Sequence, residues 1–244
     1  MRAAVRTLTA LATGLALALA QPAQADQTDH IVFDVLLGGV KAGELVIDGK
    51  IAAGRYGAQG LMQTTGLAGM LKKIRYEATA DGRVTRGGFS PRSVEVVSQR
   101  GDARSRNTVI YNGGVPASVI HEPPRTPRPN DVDPAKQGGT IDPLTALYAV
   151  LRDVSPDEAC KLSVTLFDGT KRSQVALSAP EPAGAGLRCA GEYRRLEGFS
   201  EKDMAEKTRF PFTLTYAPTP DGAHLQVVDI STETILGKGR LKRR

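Results

Sequence analysis

Glycine-containing turn pairs cut this chain into short alternating segments, and that punctuation restricts it to antiparallel β architecture. Asp48-Gly49, Asp81-Gly82, Asp168-Gly169 and Asp221-Gly222 are joined by Gly38-Gly39 and Asn112-Gly113-Gly114. Asn, Asp and Gly tolerate the positive φ that tight hairpin turns demand. β-rich runs flank most of these pairs. Ile31 to Leu37 leads through Gly38-Gly39 into Val40 to Asp48, and Arg104 to Tyr111 leads through Asn112-Gly114 into Val115 to His121. Leu162 to Phe167 leads through Asp168-Gly169 into Lys171 to Leu177. Ile31, Phe33, Val35 and Leu37 fall on one face of their run; Leu162, Val164 and Leu166 oppose Ser163, Thr165 and Phe167; Phe212, Leu214 and Tyr216 oppose Thr213 and Thr215. One apolar and one more polar face predict a curved sheet, barrel or sandwich, with residues 223–230 and 232–242 as two closing strands.

Two segments leave this pattern. Asp142 is placed to cap a helix whose first turn holds Pro143, the position where a missing N–H costs nothing. Leu144, Leu147, Tyr148 and Leu151 then share a face, predicting a helix over 143–153. Leu67, Met70, Leu71 and Ile74 also follow helical spacing, beside Lys72 and Lys73, although Gly66 and Gly69 weaken that helix. Between the halves, residues 122–139 hold Pro123, Pro124, Pro127, Pro129, Pro134 and Gly138-Gly139. Proline lacks a backbone donor, so this stretch reads as an extended loop. Neither half has a full set of core faces, so residues 26–244 are expected to form a single antiparallel β domain.

The first 25 residues read as an address. Arg2 and Arg6 precede an apolar run from Leu8 to Ala20, and Ala23-Gln24-Ala25 offers a small-x-small cleavage site. Residues 1–25 are therefore expected to be a signal peptide, removed before Asp26, and the rest is expected in the periplasm. No cysteine follows the apolar run, which argues against a lipid anchor. No second long apolar segment exists, so the mature chain is not expected to span a membrane. The net charge of +6 falls to +4 once Arg2 and Arg6 leave with the leader. Export argues against nucleic acid as partner and favours anionic envelope components instead. The chain has no Trp and few aromatic residues, which weighs against a glycan-binding groove. Cys160 and Cys189 are expected to pair in an oxidising compartment. That bridge would close a loop of about 30 residues, for roughly 3.5 kcal/mol by chain entropy.

No catalytic or metal-binding constellation emerges, and no cofactor is expected. His30, His121 and His224 are scattered, Ser200 lacks the second glycine of a nucleophile elbow, and Asp131 with Asp133 lies in a loop. The basic residues are more suggestive. Arg104 and Arg106 share one strand face, near Arg100; Lys238, Arg240 and Lys242 share another; Arg125 and Arg128 sit in the Pro-rich loop. Together they make a candidate anion-binding rim. Leu67, Met70, Leu71, Lys72 and Lys73 make a candidate lid or membrane contact, or cap one end of the core.

The stretch Phe33-Asp-Val35-Leu-Leu-Gly38-Gly39-Val-Lys-Ala-Gly43 resembles an exported bacterial family catalogued as domain of unknown function 3108. So do Asp81-Gly82-Arg-Val-x-x-x-Gly-Phe-x-Pro91 and Asp142-Pro143-Leu-Thr-Ala-Leu-Tyr148. In the second half, Phe167-Asp168-Gly169 and Cys189-x-Gly191-x-Tyr193 are similar too. The resemblance implies a mainly β fold, a twisted antiparallel half-barrel or β-spiral, and brings no catalytic residues. The expected function is a non-enzymatic envelope protein that binds a hydrophobic or anionic envelope ligand (lipid or lipoprotein) or a protein partner. The competing expectations are a hydrolase acting on envelope polymers and a purely structural interaction module.

Overall fold

Alternating apolar side chains make long strands here, and glycines make their turns. A computed structural model describes residues 26–85, 88–234 and 237–244. The expected leader lies outside the described residues. The first half comprises β1 (Gln27–Leu37), β2 (Val40–Ala52), β3 (Arg55–Thr64), α1 (Gly66–Leu71), β4 (Ile74–Thr85), β5 (Gly88–Arg100), β6 (Ala103–Asn112) and β7 (Val115–Glu122). A 3-10 turn (Pro134–Lys136) and α2 (Pro143–Leu151) follow the Pro-rich loop. The second half comprises β8 (Ser163–Phe167), β9 (Arg172–Ala183), β10 (Gly186–Glu197), α3 (Glu201–Glu206), β11 (Arg209–Pro218), β12 (Leu225–Thr234) and β13 (Gly237–Arg243). Among the described residues, no helix is long and apolar enough to cross a membrane.

The strands form one antiparallel sheet in the order β7-β6-β5-β4-β3-β2-β1-β13-β12-β11-β10-β9-β8. The first and last strands of the chain zip together at its centre, with Phe33 opposite Arg243 and Leu37 opposite Gly239. The sheet does not close into a barrel: β7 and β8 are its edges, and they do not pair. Its ends are nonetheless stitched together. Asn107 Nδ2 on β6 donates to the Asp168 carbonyl at 2.6 Å, and Val132 N in the Pro-rich loop donates to the Thr170 carbonyl at 3.0 Å. Ile141 forms a parallel bridge with Leu166 on edge strand β8, giving that strand's exposed backbone groups a partner.

The sheet curls around α2. Asp142 caps this helix, its carboxylate accepting from Thr145 N at 2.9 Å and from the Thr145 hydroxyl. Leu144, Tyr148 and Leu151 enter one apolar cluster with Ile31, Phe33, Ile47, Val109, Phe167, Leu214 and Val227. Tyr148 is fully buried and donates to Asp29 Oδ2 at 2.7 Å. Cys160, in the loop after α2, is bonded to Cys189 on β10, with Cα atoms 5.5 Å apart. The bridge ties that loop to the inner wall.

Several boundaries differ from the sequence expectation. Asp48-Gly49 and Asp81-Gly82 are not turns but strand interiors. The turn after β2 is Ala53-Gly54, both at positive φ. Gly49 lies where a Cβ would overlap the Tyr148 ring, and Gly82 where it would overlap the Tyr56 ring and the Ser90 carbonyl. These glycines admit close approach rather than a reversal of direction. α2 stops at Leu151 instead of 153, and Ile74 opens β4 instead of closing α1. Phe167, assigned to a polar face, is fully buried, because α2 and the Ile141 segment cover both faces of β8. The closing strands run over 225–234 and 237–243.

Candidate functional site

Each turn in this sheet reverses the chain at one of two ends, so residues from remote loops gather there. At the end carrying the β5–β6 and β8–β9 turns, a cavity of about 530 Å³ opens. Arg100 and Arg104 reach it from the β5–β6 turn, Arg125 and Arg128 from the Pro-rich loop, and Lys171 from the β8–β9 turn. Local hydrogen bonds set the loop. Asp131 Oδ2 accepts from Arg125 Nη2 and from Arg128 N, each at 2.7 Å, and Asn130 Nδ2 donates to the Gly198 carbonyl at 2.6 Å. The β8–β9 turn is set by Asp168, whose carboxylate accepts from Thr170 N at 2.9 Å and Lys171 N at 2.8 Å.

The cavity is strongly positive. Among the described residues, its lining offers five cations and a single carboxylate, Asp131. Burial pushes the Asp131 carboxyl up, but the Arg128 N–H, the Arg125 guanidinium and their charges outweigh it, and the group titrates below its ordinary range. Arg100 donates to the Tyr76 hydroxyl and lies over that ring, with the guanidinium carbon 5.6 Å from the centroid. Lys171 Nζ sits 5.0 Å above Phe199. Among the described residues, neither the Arg104 nor the Arg128 guanidinium is held in an ion pair. Free guanidinium forks facing a shared space bind carboxylate and phosphate oxygens through charge-assisted hydrogen bonds.

Groups that suit nucleophilic chemistry lie near this cavity but do not engage one another. Burial, and then the Arg125 charge, lower the His121 pKa, with Asp131 and Asp168 opposing. Asp131 is committed to the loop. Ser200 Oγ donates to Asp203 Oδ2 at 2.7 Å and accepts from Asp203 N at 3.1 Å, capping α3. A nucleophile needs a base within hydrogen-bond reach, and these three residues form no such pair among the described residues. His30 Nδ1 lies 2.6 Å from Asp48 Oδ1 on the exposed surface. Among the described residues, no group of three or more His, Cys, Asp or Glu side chains is arranged to hold a metal ion.

A second space, a cleft of about 680 Å³, runs between the end of α2, the loop carrying Cys160 and strands β8 and β9. Ile141, Val150, Val154, Leu162 and Leu177 are among its lining residues. Arg152 stands at its wall, donating to Glu158 Oε1 at 2.8 Å. Its Nε is buried without a hydrogen-bond partner among the described residues. Asp157 and Glu158 balance Arg152 and Lys161 there, so this cleft is not basic. Tyr216, which also lines it, has its pKa pushed up to about 12 by burial.

The basic residues singled out in the sequence divide into two sets. Arg104 lines the cavity and also, with Arg106, a neighbouring groove that holds Glu77 and Glu95. Arg106, two residues on, stands 3.6 Å from both Glu95 and Glu122, and its charge is spent between them. Lys238, Arg240 and Lys242 lie on β13, with β1 to β5 between them and β6. Arg240 is bonded to Asp229. The single rim expected from sequence is therefore a local cavity built from Arg100, Arg104, Arg125 and Arg128, without the β13 residues. Sequence reasoning misses Lys171, although its place directly after a predicted hairpin turn is a usable signal. Met70, Leu71, Lys72 and Lys73 are exposed on and beside α1; the Leu67 side chain lies outside the described residues. Cys160 and Cys189 form the expected bridge.

Among solved structures, a β-barrel-like protein of domain of unknown function DUF1849 from Brucella abortus is similar. It matches with a TM-score of 0.51 at 12% identity, over 89% of this chain and 95% of that one. At that identity the likeness concerns fold alone. No curated protein matches the chain. The model of the family described as "Protein of unknown function (DUF3108)" matches residues 32–180, which hold the β1–β2 hairpin, α2 and the Asp168-Gly169 turn. The chain belongs to the DUF3108 family.

Proposed function

We propose that this chain is a non-enzymatic protein of the bacterial envelope that binds an anionic envelope component, a phosphate- or carboxylate-bearing lipid, in the basic cavity. The observation that carries the reading is the convergence of Arg100, Arg104, Arg125, Arg128 and Lys171 on one space, with Asp131 as the single lining carboxylate among the described residues. A disulfide and the leader-like first 25 residues support an exported, periplasmic setting. The commitment of Ser200 to capping α3 and of Asp131 to its loop favours binding over hydrolysis.

Titration of the purified chain with inorganic phosphate and with glycerol phosphate, by calorimetry or NMR, tests the reading. Arg104→Ala with Arg128→Ala is expected to weaken binding about 100-fold, at roughly 1.4 kcal/mol for each lost charge-assisted contact. Lys238→Ala with Lys242→Ala is expected to change nothing, and wild-type binding should weaken as salt rises. Equal affinity in both double variants would end the proposal. A second reading, an amphiphile with its apolar part in the cleft, is favoured by the unpartnered Arg152 Nε beside that apolar wall.

A further inference from the structure

The sheet end that carries the basic cavity also carries apolar side chains in the open. Met70 and Leu71 on α1 are 83% and 89% exposed, and Val40 in the first hairpin is 65% exposed. Side chains of this kind are ordinarily covered when they cluster. α1 is held beside the first hairpin and against the β5–β6 turn: Thr65 N donates to the Ala42 carbonyl at 3.0 Å, and Gly101 N donates to the Lys73 carbonyl at 2.9 Å. The Thr64 hydroxyl closes the segment by donating to the Lys72 carbonyl at 2.9 Å. The apolar tip is thus presented by a tied backbone.

Charge identifies what covers it. Residues 65–73 contain Lys72 and Lys73 and no acid. Among the described residues neither lysine has an acidic partner. Lys41 lies at the same end, bonded to Asp34 at 2.8 Å, and Arg100 and Arg104 flank the β5–β6 turn at the cavity. Apolar tips beside Lys72 and Lys73, which have no acidic partner among the described residues, match the boundary layer of an anionic bilayer, where side chains reach the acyl region and lysines meet phosphates. A second copy of this chain makes a different prediction, a lipid-free dimer held by the same side chains.

We propose that this end of the sheet docks on the surface of an anionic bilayer, with Met70 and Leu71 inserted at the headgroup–acyl boundary and Lys72 and Lys73 on lipid phosphates. The docked molecule points its basic cavity at the headgroups. The proposal stands on α1, independently of whether the cavity binds phosphate.

Vesicle flotation with residues 26–244 tests it, using phosphatidylcholine alone or mixed with phosphatidylglycerol. The chain is expected to float with the mixed vesicles only, and less as salt rises. Met70→Ser with Leu71→Ser is expected to reduce binding about tenfold or more, and Lys72→Gln with Lys73→Gln by about fivefold per lysine. Unchanged circular dichroism and thermal midpoint show that these exposed variants are folded. No vesicle binding by the wild type, equal binding to neutral vesicles, or full binding by Met70→Ser/Leu71→Ser overturns the proposal. So does a lipid-free dimer that the same variant abolishes, which assigns the patch to a second copy. Arg104→Ala/Arg128→Ala separates the two readings. Loss of phosphate binding with vesicle binding retained supports both. A chain that takes up phosphate but no vesicles sinks only the docking.

Discussion

Gly49 and Gly57 sit in the same sheet, and the absence of a side chain means opposite things at the two. Gly49 faces inward, where a methyl group would overlap the Tyr148 ring, and it takes an ordinary strand conformation. Tyr148 has no room to retreat: it is fully buried, hydrogen-bonded to Asp29, and 5.9 Å from the Phe89 ring centre in an edge-on contact. A methyl group on Gly57 would meet nothing within 4 Å. Gly49→Ala is therefore expected to destabilise the chain by about 1–3 kcal/mol through overpacking. Gly57→Ala is expected to be neutral or to stabilise by about 0.5–1 kcal/mol through backbone entropy. Urea denaturation of both variants decides this, and a Gly49→Ala midpoint equal to wild type contradicts the account.

At the scale of elements, the capping of α2 sets a pH dependence. Asp142 is fully buried, and burial pushes its carboxyl above the ordinary range even though Thr145 donates two hydrogen bonds to it. A carboxyl whose folded value is raised supports the fold while protonated, below its unfolded value near 4, and loses that support as pH rises through the folded value. Asn caps a helix as well as Asp does, without the charge. Asp142→Asn should therefore gain on wild type as pH rises from about 4 toward the raised folded value. Asp142→Ala should lose about 1–2 kcal/mol with the cap. A lead of Asp142→Asn that does not vary with pH in denaturant titrations would contradict the burial argument. This cap was legible in the sequence because Asp-Pro at a helix start is a local signal. So were the strands with one apolar face and the Gly38-Gly39 hairpin. Asp48-Gly49 misled because glycine in a dipeptide does not say whether it serves a turn or a neighbour, and the neighbour, Tyr148, lies far along the chain. The cavity was legible only in part for the same reason. Arg104 and Arg128 stand out as basic residues, but their meeting with Lys171 depends on how the sheet curls, and no local spacing encodes that. The exclusion of β13 follows from strand order, which the turn signals leave undetermined.

The whole molecule is a sheet whose centre is formed by the two ends of the chain. β1 and β13 pair across nearly the full sequence, and Arg244 extends the seam, donating to Asp34 Oδ1 and Glu44 Oε2 at 2.7 Å each. Among the described residues, the spatial edges, β7 and β8, meet no strand beyond them; they are drawn together by Asn107 on Asp168, Asn130 on Gly198 and Val132 on Thr170. Stability is thus uneven by construction, with continuous ladders at the centre and a few loop hydrogen bonds at the gap. Segments held by few bonds open at low free energy without global unfolding. The same loop carries Arg125 and Arg128, so the positive cavity is assembled at the weakest seam of the fold. Asn107→Ala with Asn130→Ala is expected to speed amide exchange about tenfold or more at Val132, where the N–H donates across the gap, at roughly 1 kcal/mol per hydrogen bond lost. Phe33 and Leu45 amides, in the central ladder, should exchange as in wild type. Phosphate affinity should fall in parallel, because the two arginines lose their fixed position while keeping their charge. Acceleration spread evenly over the sheet would mean that the gap and the centre open as one unit, and the separation of a rigid seam from a loosely clasped binding end would be lost.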